Sequence, residues 1–278
     1  CTSNDRCENG RCAGIQDGLC CTPEFNDPAH HITAFSLGPD GHEGNALDVD
    51  GNGGTCSPSG KCSGGRDNSL APLAGMANAE LVKVIADGGL HAIFEGRGFN
   101  RAGVLFDMAI WEGKEVDRNC DFMQPGCSYR VPAELLDEDC GPQFLIKDAR
   151  VAGNKLTAGG VGSSYPFEIP ITEDTKLPVT LANARVEATI TWGGPGGDEP
   201  MVLDGVLAGA VPKAAIVDAV KNIPDDELPP EISKQTILTL LNLVIKNDID
   251  TDGDGNMDAA SIGVKFSAVA AAVVGVRD

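Results

Sequence analysis

The run of acidic residues at positions 248–258 constrains the fold more than any other part of this 278-residue chain. Its sequence is DIDTDGDGNMD, so five carboxylates occur within eleven residues, mostly at alternate positions. Side chains this crowded repel one another unless they stay in solvent or surround a cation. Alternate acidic residues with glycines at the sharp turns are typical of a loop that presents oxygen ligands to Ca²⁺. A solvated acidic turn is the alternative interpretation.

Two registers of an EF-hand-like loop fit this run. A loop that begins at Asp250 places a glycine at its sixth position, and so does one that begins at Asp248. In the first register the twelfth residue is Ser261, where an EF-hand has a bidentate glutamate. This difference favours a short structural loop over a calcium sensor. The predicted ligands of this site are Asp248, Asp250, Asp252, Asp254, Asn256 and Asp258.

A weaker copy of the pattern occurs earlier in the chain, at residues 48–53, with the sequence DVDGNG. A short insert that contains Cys56 and Cys62 follows, and Asp67 comes after it. We expect Asp67 to return to the loop and to complete a second calcium site. A glycine-rich turn before the first helix is the alternative. The predicted ligands of this second site are Asp48, Asp50, Asn52 and Asp67.

The overall charge argues against several classes of partner. The formal net charge is −20 and the basic residues are scattered, so binding to nucleic acid or to an anionic membrane surface is not expected. Aspartates outnumber glutamates, which suits oxygen-ligand calcium loops. No stretch approaches the roughly 20 apolar residues that a membrane-spanning helix needs. We therefore expect no membrane span.

Ten cysteines in closely spaced groups predict disulfide bonds, and hence a secreted protein or one exposed on the exterior of an outer membrane. Cys56 and Cys62 flank a turn-forming pentapeptide and are expected to pair with each other. The other two groups, within residues 1–21 and 120–140, contain five and three cysteines. Complete oxidation therefore requires at least one disulfide between these groups. A lipid anchor on Cys1 would leave an odd number of thiols, so this alternative is not favoured.

The pattern of apolar residues predicts two regions. Residues 1–45 have little periodicity and are expected to form a cysteine-rich N-terminal segment without its own core. Residues 46–278 are expected to form a calcium-stabilised main domain. The predicted fold class is α+β, with a mainly antiparallel, sandwich-like sheet packed with about three helices and preceded by the disulfide-stapled irregular segment. The predicted strands are 90–96, 104–111, 143–152, 164–171, 175–181, 184–192, 201–208 and 262–276, and the predicted helices are 69–87, 212–222 and 230–246.

Several segments resemble known classes of protein. The acidic run is similar to the calcium loops of thrombospondin type 3 repeats and of dockerins, which use the same D-x-D-x-D-G pattern. The opening CTSNDRCENGRC is similar to short cysteine-rich modules of secreted myxobacterial-type proteins. The segments NSLAPLAG, LTAGG and ANAR, with the acidic run, resemble uncharacterised exported, lipoprotein-like proteins of the same bacteria. These resemblances imply an extracellular location and bound calcium, and they imply no activity.

No motif in the sequence predicts catalysis. His30, His31, His42 and Glu43 lie close together, but their spacing is not that of a metal site, and exposed loop histidines are the favoured interpretation. The serines at 163 and 164 do not occur in a G-x-S-x-G elbow, and the chain has no glycine-rich phosphate-binding loop.

We therefore expect a non-catalytic, exported structural or adhesive protein that disulfides and Ca²⁺ stabilise. Its expected partners, besides calcium, are further copies of itself or other cell-surface proteins. An extracellular binding protein for an apolar, lipid-like ligand is the first alternative, because amphipathic strands and small residues can enclose a cavity. An extracellular hydrolase is the second alternative.

Overall fold

The computed structural model describes residues 7–8, 11–12, 23–38, 45–53, 65–170, 176–224 and 233–277. These ranges contain thirteen β-strands and three α-helices. The strands are β1 (Cys7–Glu8), β2 (Arg11–Cys12), β3 (Ala29–Leu37), β4 (Ala92–Arg97), β5 (Phe106–Glu112), β6 (Lys114–Glu115), β7 (Ser128–Pro132), β8 (Leu145–Ala152), β9 (Lys155–Gly159), β10 (Ser164–Pro170), β11 (Lys176–Gly193), β12 (Glu199–Pro212) and β13 (Ala259–Arg277). The helices are α1 (Ala74–Ala86), α2 (Lys213–Asn222) and α3 (Lys234–Val244). The predicted α+β class with a mainly antiparallel sheet is confirmed.

Eight of the strands close into a barrel. Their order around it is β3, β4, β5, β8, β9, β11, β12 and β13, and each pairs antiparallel with the next, with β13 returning to β3. The sheet is therefore closed on itself and is not divided into the two layers of a sandwich.

The long strands continue beyond the barrel. The first part of β11 pairs with β10, and the last part of β13 pairs in parallel with β7, which in turn pairs with β6. The short strands β1 and β2 form a separate ladder.

Apolar side chains fill the interior of the barrel. Along β12, Leu203 and Leu207 belong to this core, whereas Val206 and Ala208 belong to a cluster on the outside. This alternation follows from the two-residue period of a strand. The rings of Phe94 and Phe266 pack at 4.9 Å between centroids. Eight strands make a barrel just wide enough for side chains to fill, and a cavity of about 20 Å³ lies within this core.

Strand β3 lies within residues 1–45, for which an irregular segment without a core was expected. It is an integral barrel strand, because it pairs with both β4 and β13 and places Ile32, Phe35 and Leu37 in the main core. The barrel therefore begins at Ala29, and the expected boundary at residue 45 does not mark its edge.

Most other elements lie where the sequence predicts them. The two strands expected at 175–181 and 184–192 are one continuous strand, β11, with an irregularity between Ala182 and Arg185. The third helix, α3, is buried on one side only: Leu241 is buried, whereas Leu243 is 75% exposed. One face of α3 packs against α2 and the core, and the other faces solvent. Among the described residues, no helix has the length and apolar character needed to cross a membrane.

Disulfide bonds are present in the described part of the chain. Cys120 and Cys127 form one, with their Cα atoms 5.8 Å apart. Cys140 is also disulfide-bonded, and since the other two cysteines of its group pair with each other, its partner must lie elsewhere in the chain. None of the described cysteines is a free thiol. The predicted Cys56–Cys62 pair and the N-terminal Cys1 lie outside the described residues.

Candidate metal centres

Both acidic segments lie against the same outer surface of the barrel. Leu47 and Val49 from the first segment, Ile249 from the second and Ala259 at the start of β13 form one buried cluster with outward-facing side chains of β12. In both segments these apolar residues alternate with aspartates. Because successive side chains of an extended chain point to opposite sides, packing the apolar residues on the barrel turns the intervening carboxylates away from it.

The first segment forms a cluster of carboxylates that we call the 48/50/67 group. Asp48, Asp50 and Asp67 each offer one carboxylate oxygen, and these oxygens lie within 4.8 Å of one another. Asp67 is brought back to the loop by an isolated antiparallel bridge to Leu47, in which its backbone N–H donates to the Leu47 carbonyl at 3.0 Å. The backbone N–H of Asn52, another predicted ligand, donates to Asp50 Oδ1 at 2.7 Å.

A glycine at position 65 allows the chain to return so closely. Gly65 has φ of +64°, and a Cβ atom there would lie 2.7 Å from the Cα atom of Gly53 and 2.9 Å from the carbonyl oxygen of Asn52. A side chain at position 65 would therefore push the two ends of the loop apart.

The 48/50/67 group is partly buried, and Arg185, which lowers the pKa of Asp48, does not outweigh the effect of burial and of Asp50 on that carboxyl group. Asp67 is only 2% exposed, and the Val49 N–H donates to its Oδ2 at 3.1 Å. Burial, with repulsion from Asp50, Asp248 and Asp48, raises the pKa of Asp67 to about 7. Burial and the neighbouring Asp50 also raise the pKa of Asp48, and Asp48 Oδ1 is a buried atom without a hydrogen-bond partner. A divalent cation would offset both the burial and the repulsion.

The second segment forms the 250/252/254 group. Oxygens of Asp250, Asp252 and Asp254 lie within 4.8 Å of one another, so the group begins at Asp250 and not at Asp248. The carboxylate of Asp250 accepts from the Gly253 N–H at 2.7 Å and from the Gly255 N–H at 2.8 Å. These bonds, that from Gly255 above all, lower the pKa of Asp250. The loop is therefore wound around an ionised carboxylate.

The other three predicted ligands of the second segment have different contacts. Asp248 accepts from the backbone N–H of Ser261 at 2.7 Å and from its hydroxyl, which fixes the loop to β13. Asp258 accepts from the hydroxyl and the N–H of Thr251, and these bonds lower its pKa. The Asn256 side chain donates to Asp254 Oδ2 at 3.0 Å. These contacts shape the loop around the 250/252/254 group.

Comparisons of this chain with protein-family models, curated proteins and solved structures found no match. The resemblances noted from the sequence stay predictions, and the two groups are interpreted from their own geometry.

Sequence reasoning missed the burial of two histidines on β3. His30 and His31 were expected to be exposed, but on β3 they are 4% and 1% exposed. His30 Nε2 bonds the Pro200 carbonyl at 2.8 Å, and His31 Nε2 lies 3.0 Å from His91 Nδ1. Burial lowers the pKa of His30 and of His31 to about 4. The available signal was the length of residues 29–37, nine residues without glycine or proline, which is typical of a strand.

Proposed function

We propose that this chain is an exported, calcium-stabilised barrel protein with a structural or adhesive role outside the cell and no catalytic activity. The observation that carries the proposal is the 48/50/67 group, in which three carboxylates converge within 4.8 Å and one of them is 2% exposed. Such an arrangement is unfavourable by itself, because burial and mutual repulsion both oppose ionisation. A bound cation converts the same geometry into a stabilising site.

The chemistry of both groups favours Ca²⁺ over transition metals. Each group offers carboxylate oxygens, and neither includes a histidine or a cysteine. Hard cations prefer such ligands, whereas imidazole and thiolate select zinc, copper and iron. Ca²⁺ also accepts irregular sets of six to eight oxygens, to which backbone carbonyls and water can contribute, whereas Mg²⁺ demands near-ideal octahedral geometry.

Calcium at these positions would tie distant parts of the chain together. The 48/50/67 group joins residues on both sides of the 54–64 insert, and the 250/252/254 group precedes the last barrel strand. Asp248 lies close enough to raise the pKa of Asp67, so the two loops are electrostatic neighbours. Any ligand that binds only the folded state adds its binding free energy to stability. Together with the disulfides, this reinforcement suits a protein that works outside the cell.

The alternative of an apolar-ligand carrier has weaker support. Ligand sites usually have volumes of about 300–1,000 Å³. Among the described residues, the cavity lined by Phe94, Leu156 and Leu203 in the apolar core has a volume of about 20 Å³. We therefore keep the structural or adhesive role as the proposal.

Calorimetric titration of calcium into the metal-free chain tests the ion assignment. We expect two binding sites, of which Asp67→Asn removes or weakens one and Asp252→Asn the other. Asp198→Asn, at an exposed residue in the turn between β11 and β12, is the matched control and should keep both sites. No calcium binding by the wild type would contradict the assignment. The role is tested separately: a chain that binds calcium but neither self-associates nor binds cells at millimolar calcium would contradict the structural or adhesive part.

A further inference from the structure

Polar side chains meet on the buried face of the β6/β7 pair, in a part of the fold that shares no residue with the acidic loops. Glu115 on β6 and Tyr129 on β7 are directly opposite each other, so their side chains share this face. The Tyr129 ring stacks on that of His31 from β3, with centroids 4.9 Å apart, and its centroid is 5.5 Å from that of His91, the residue before β4. His91 Nε2 is 4.0 Å from Glu115 Oε1. We call His91, Glu115 and Tyr129 the 91/115/129 cluster.

Two atoms of this cluster are buried and have no hydrogen-bond partner. They are Glu115 Oε1 and the hydroxyl of Tyr129, a residue that is 0% exposed. Burial, and then repulsion from Glu115, raises the pKa of Tyr129, so the two groups are electrostatic neighbours. Buried polar groups in native proteins are nearly always hydrogen-bonded. Two unpartnered atoms on facing residues therefore point to a ligand that bonds both.

A chain of hydrogen bonds determines which nitrogen of His91 is left with a free lone pair. The Phe122 carbonyl can only accept, so His31 Nδ1, which is 3.2 Å from it, carries a hydrogen. His31 is 1% exposed, and burial favours the neutral ring, in which Nε2 is then an acceptor. His91 Nδ1 lies 3.0 Å from that atom and donates to it. In the neutral ring of His91, Nε2 therefore has the free lone pair, and this is the nitrogen nearest to Glu115.

The space between His91 Nε2 and Glu115 Oε1 suits a cation. At 4.0 Å the two atoms are too far apart for a hydrogen bond, and a lone pair that faces a carboxylate is repelled by it. Zn²⁺ binds nitrogen and oxygen ligands at about 2.0–2.2 Å, so the gap needs to narrow by only about 0.5 Å to hold the ion. The carboxyl groups of Glu112 and Asp117 act electrostatically on His91 and Glu115, which adds negative charge around the site.

We propose that the 91/115/129 cluster binds a divalent transition metal, with Zn²⁺ as the expected ion. His91 Nε2 and the Glu115 carboxylate bind the ion, and the Tyr129 hydroxyl is the third polar group available to it. A ligand set that includes imidazole selects zinc, copper or iron over Ca²⁺ and Mg²⁺. Metal-bound histidines donate their other ring N–H to a protein acceptor, as His91 does to His31. The site is independent of the calcium proposal.

Calorimetric titration of zinc into the full chain, with calcium in excess to occupy the acidic loops, tests this site. We expect one zinc ion per chain with a micromolar Kd or tighter, and visible absorption bands when Co²⁺ replaces zinc. The Asp67→Asn and Asp252→Asn variants should bind zinc as the wild type does, which separates this site from the calcium loops. Absence of zinc binding by the wild type would overturn the proposal, and so would zinc binding that either loop variant abolishes.

Variants of the cluster locate the zinc. Glu115→Gln keeps the size of the side chain and removes its charge, so it should weaken zinc binding at least about tenfold. Tyr129→Phe removes only the hydroxyl and should weaken binding several-fold. Each change removes or neutralises a group whose buried oxygen has no partner in the protein, so a folding defect is not expected. Glu134→Gln makes the same change at an exposed glutamate and should leave the affinity unchanged. Wild-type affinity in both cluster variants would overturn the proposal, whatever the calcium titration shows.

Discussion

Replacing Asp67 by asparagine should stabilise the metal-free protein and abolish much of its response to calcium. In the folded chain the pKa of Asp67 is raised from 3.8 to about 7. Each pKa unit corresponds to about 1.4 kcal/mol, so the ionised carboxylate lowers the free energy of unfolding by about 4 kcal/mol. Because the folded pKa of an acid is raised, this penalty is complete above about pH 7 and disappears below pH 3.8. Asparagine is neutral and keeps an oxygen that can accept from the Val49 N–H.

The expected result at pH 8 therefore depends on the metal. In a chelator, Asp67→Asn should raise the free energy of unfolding, by at most about 4 kcal/mol. In the wild type, calcium at one hundred times its Kd should add about 2.7 kcal/mol for this site, and the variant should lose most of that increment.

Urea denaturation of both proteins in chelator and in calcium measures the four free energies. Asp198→Asn, the exposed control, should change none of them. A variant that is less stable than the wild type in chelator, or that retains the whole calcium increment, would refute this account of the 48/50/67 group.

Three further substitutions test the fold. Gly65→Ala should destabilise the protein by about 2 kcal/mol or more in thermal melts, because the new Cβ would lie 2.7 Å from the Cα atom of Gly53 at a positive φ. Gly75→Ala, in α1 with open space around it, should be neutral or stabilising in the same melts. Phe266→Ala, at a side chain that is 0% exposed, should cost about 3–5 kcal/mol in urea denaturation, and a loss below about 1 kcal/mol would contradict a packed barrel interior. The pKa of His31 is lowered to about 4, because burial favours its neutral form. The free energy of unfolding should therefore be unaffected by His31 above pH 6.5 and fall by about 3 kcal/mol as the pH is lowered to 4. His31→Gln should make the free energy of unfolding less dependent on pH across this window, and an unchanged dependence would show that His31 titrates normally.

Local patterns were enough to predict many elements of the fold. The alternation in β11 and β12, and the apolar stripes of α1 and α2, depend on neighbouring residues and can be interpreted from short stretches of sequence. Closure of the barrel could not be predicted in this way. It depends on pairing between β13 and β3, in which Phe266 lies opposite Phe35, and no local pattern specifies such a distant partner. The polar residues His30 and His31 also obscured β3, since their burial depends on contacts with Pro200 and Phe122, which are distant in the sequence.

The candidate metal centres were predictable in composition but not in geometry. The spacing of aspartates indicated both loops, and Asp67 was expected to return because its ligand type fitted the missing position. The role of Asp248 was not predictable, because it depends on the bridge between Ile249 and Ala259 that places its carboxylate beside Ser261.

The central claim, that calcium holds the acidic loops and stabilises the barrel, is tested most directly by thermal unfolding with and without chelator, with bound calcium counted per chain. We predict two calcium ions per chain in the purified protein. Removing them should lower the Tm by at least about 5 °C, since one kcal/mol corresponds to about 2–4 °C in a domain of this size. A chain that carries no calcium, and whose Tm is the same in millimolar calcium and in chelator, would contradict the claim.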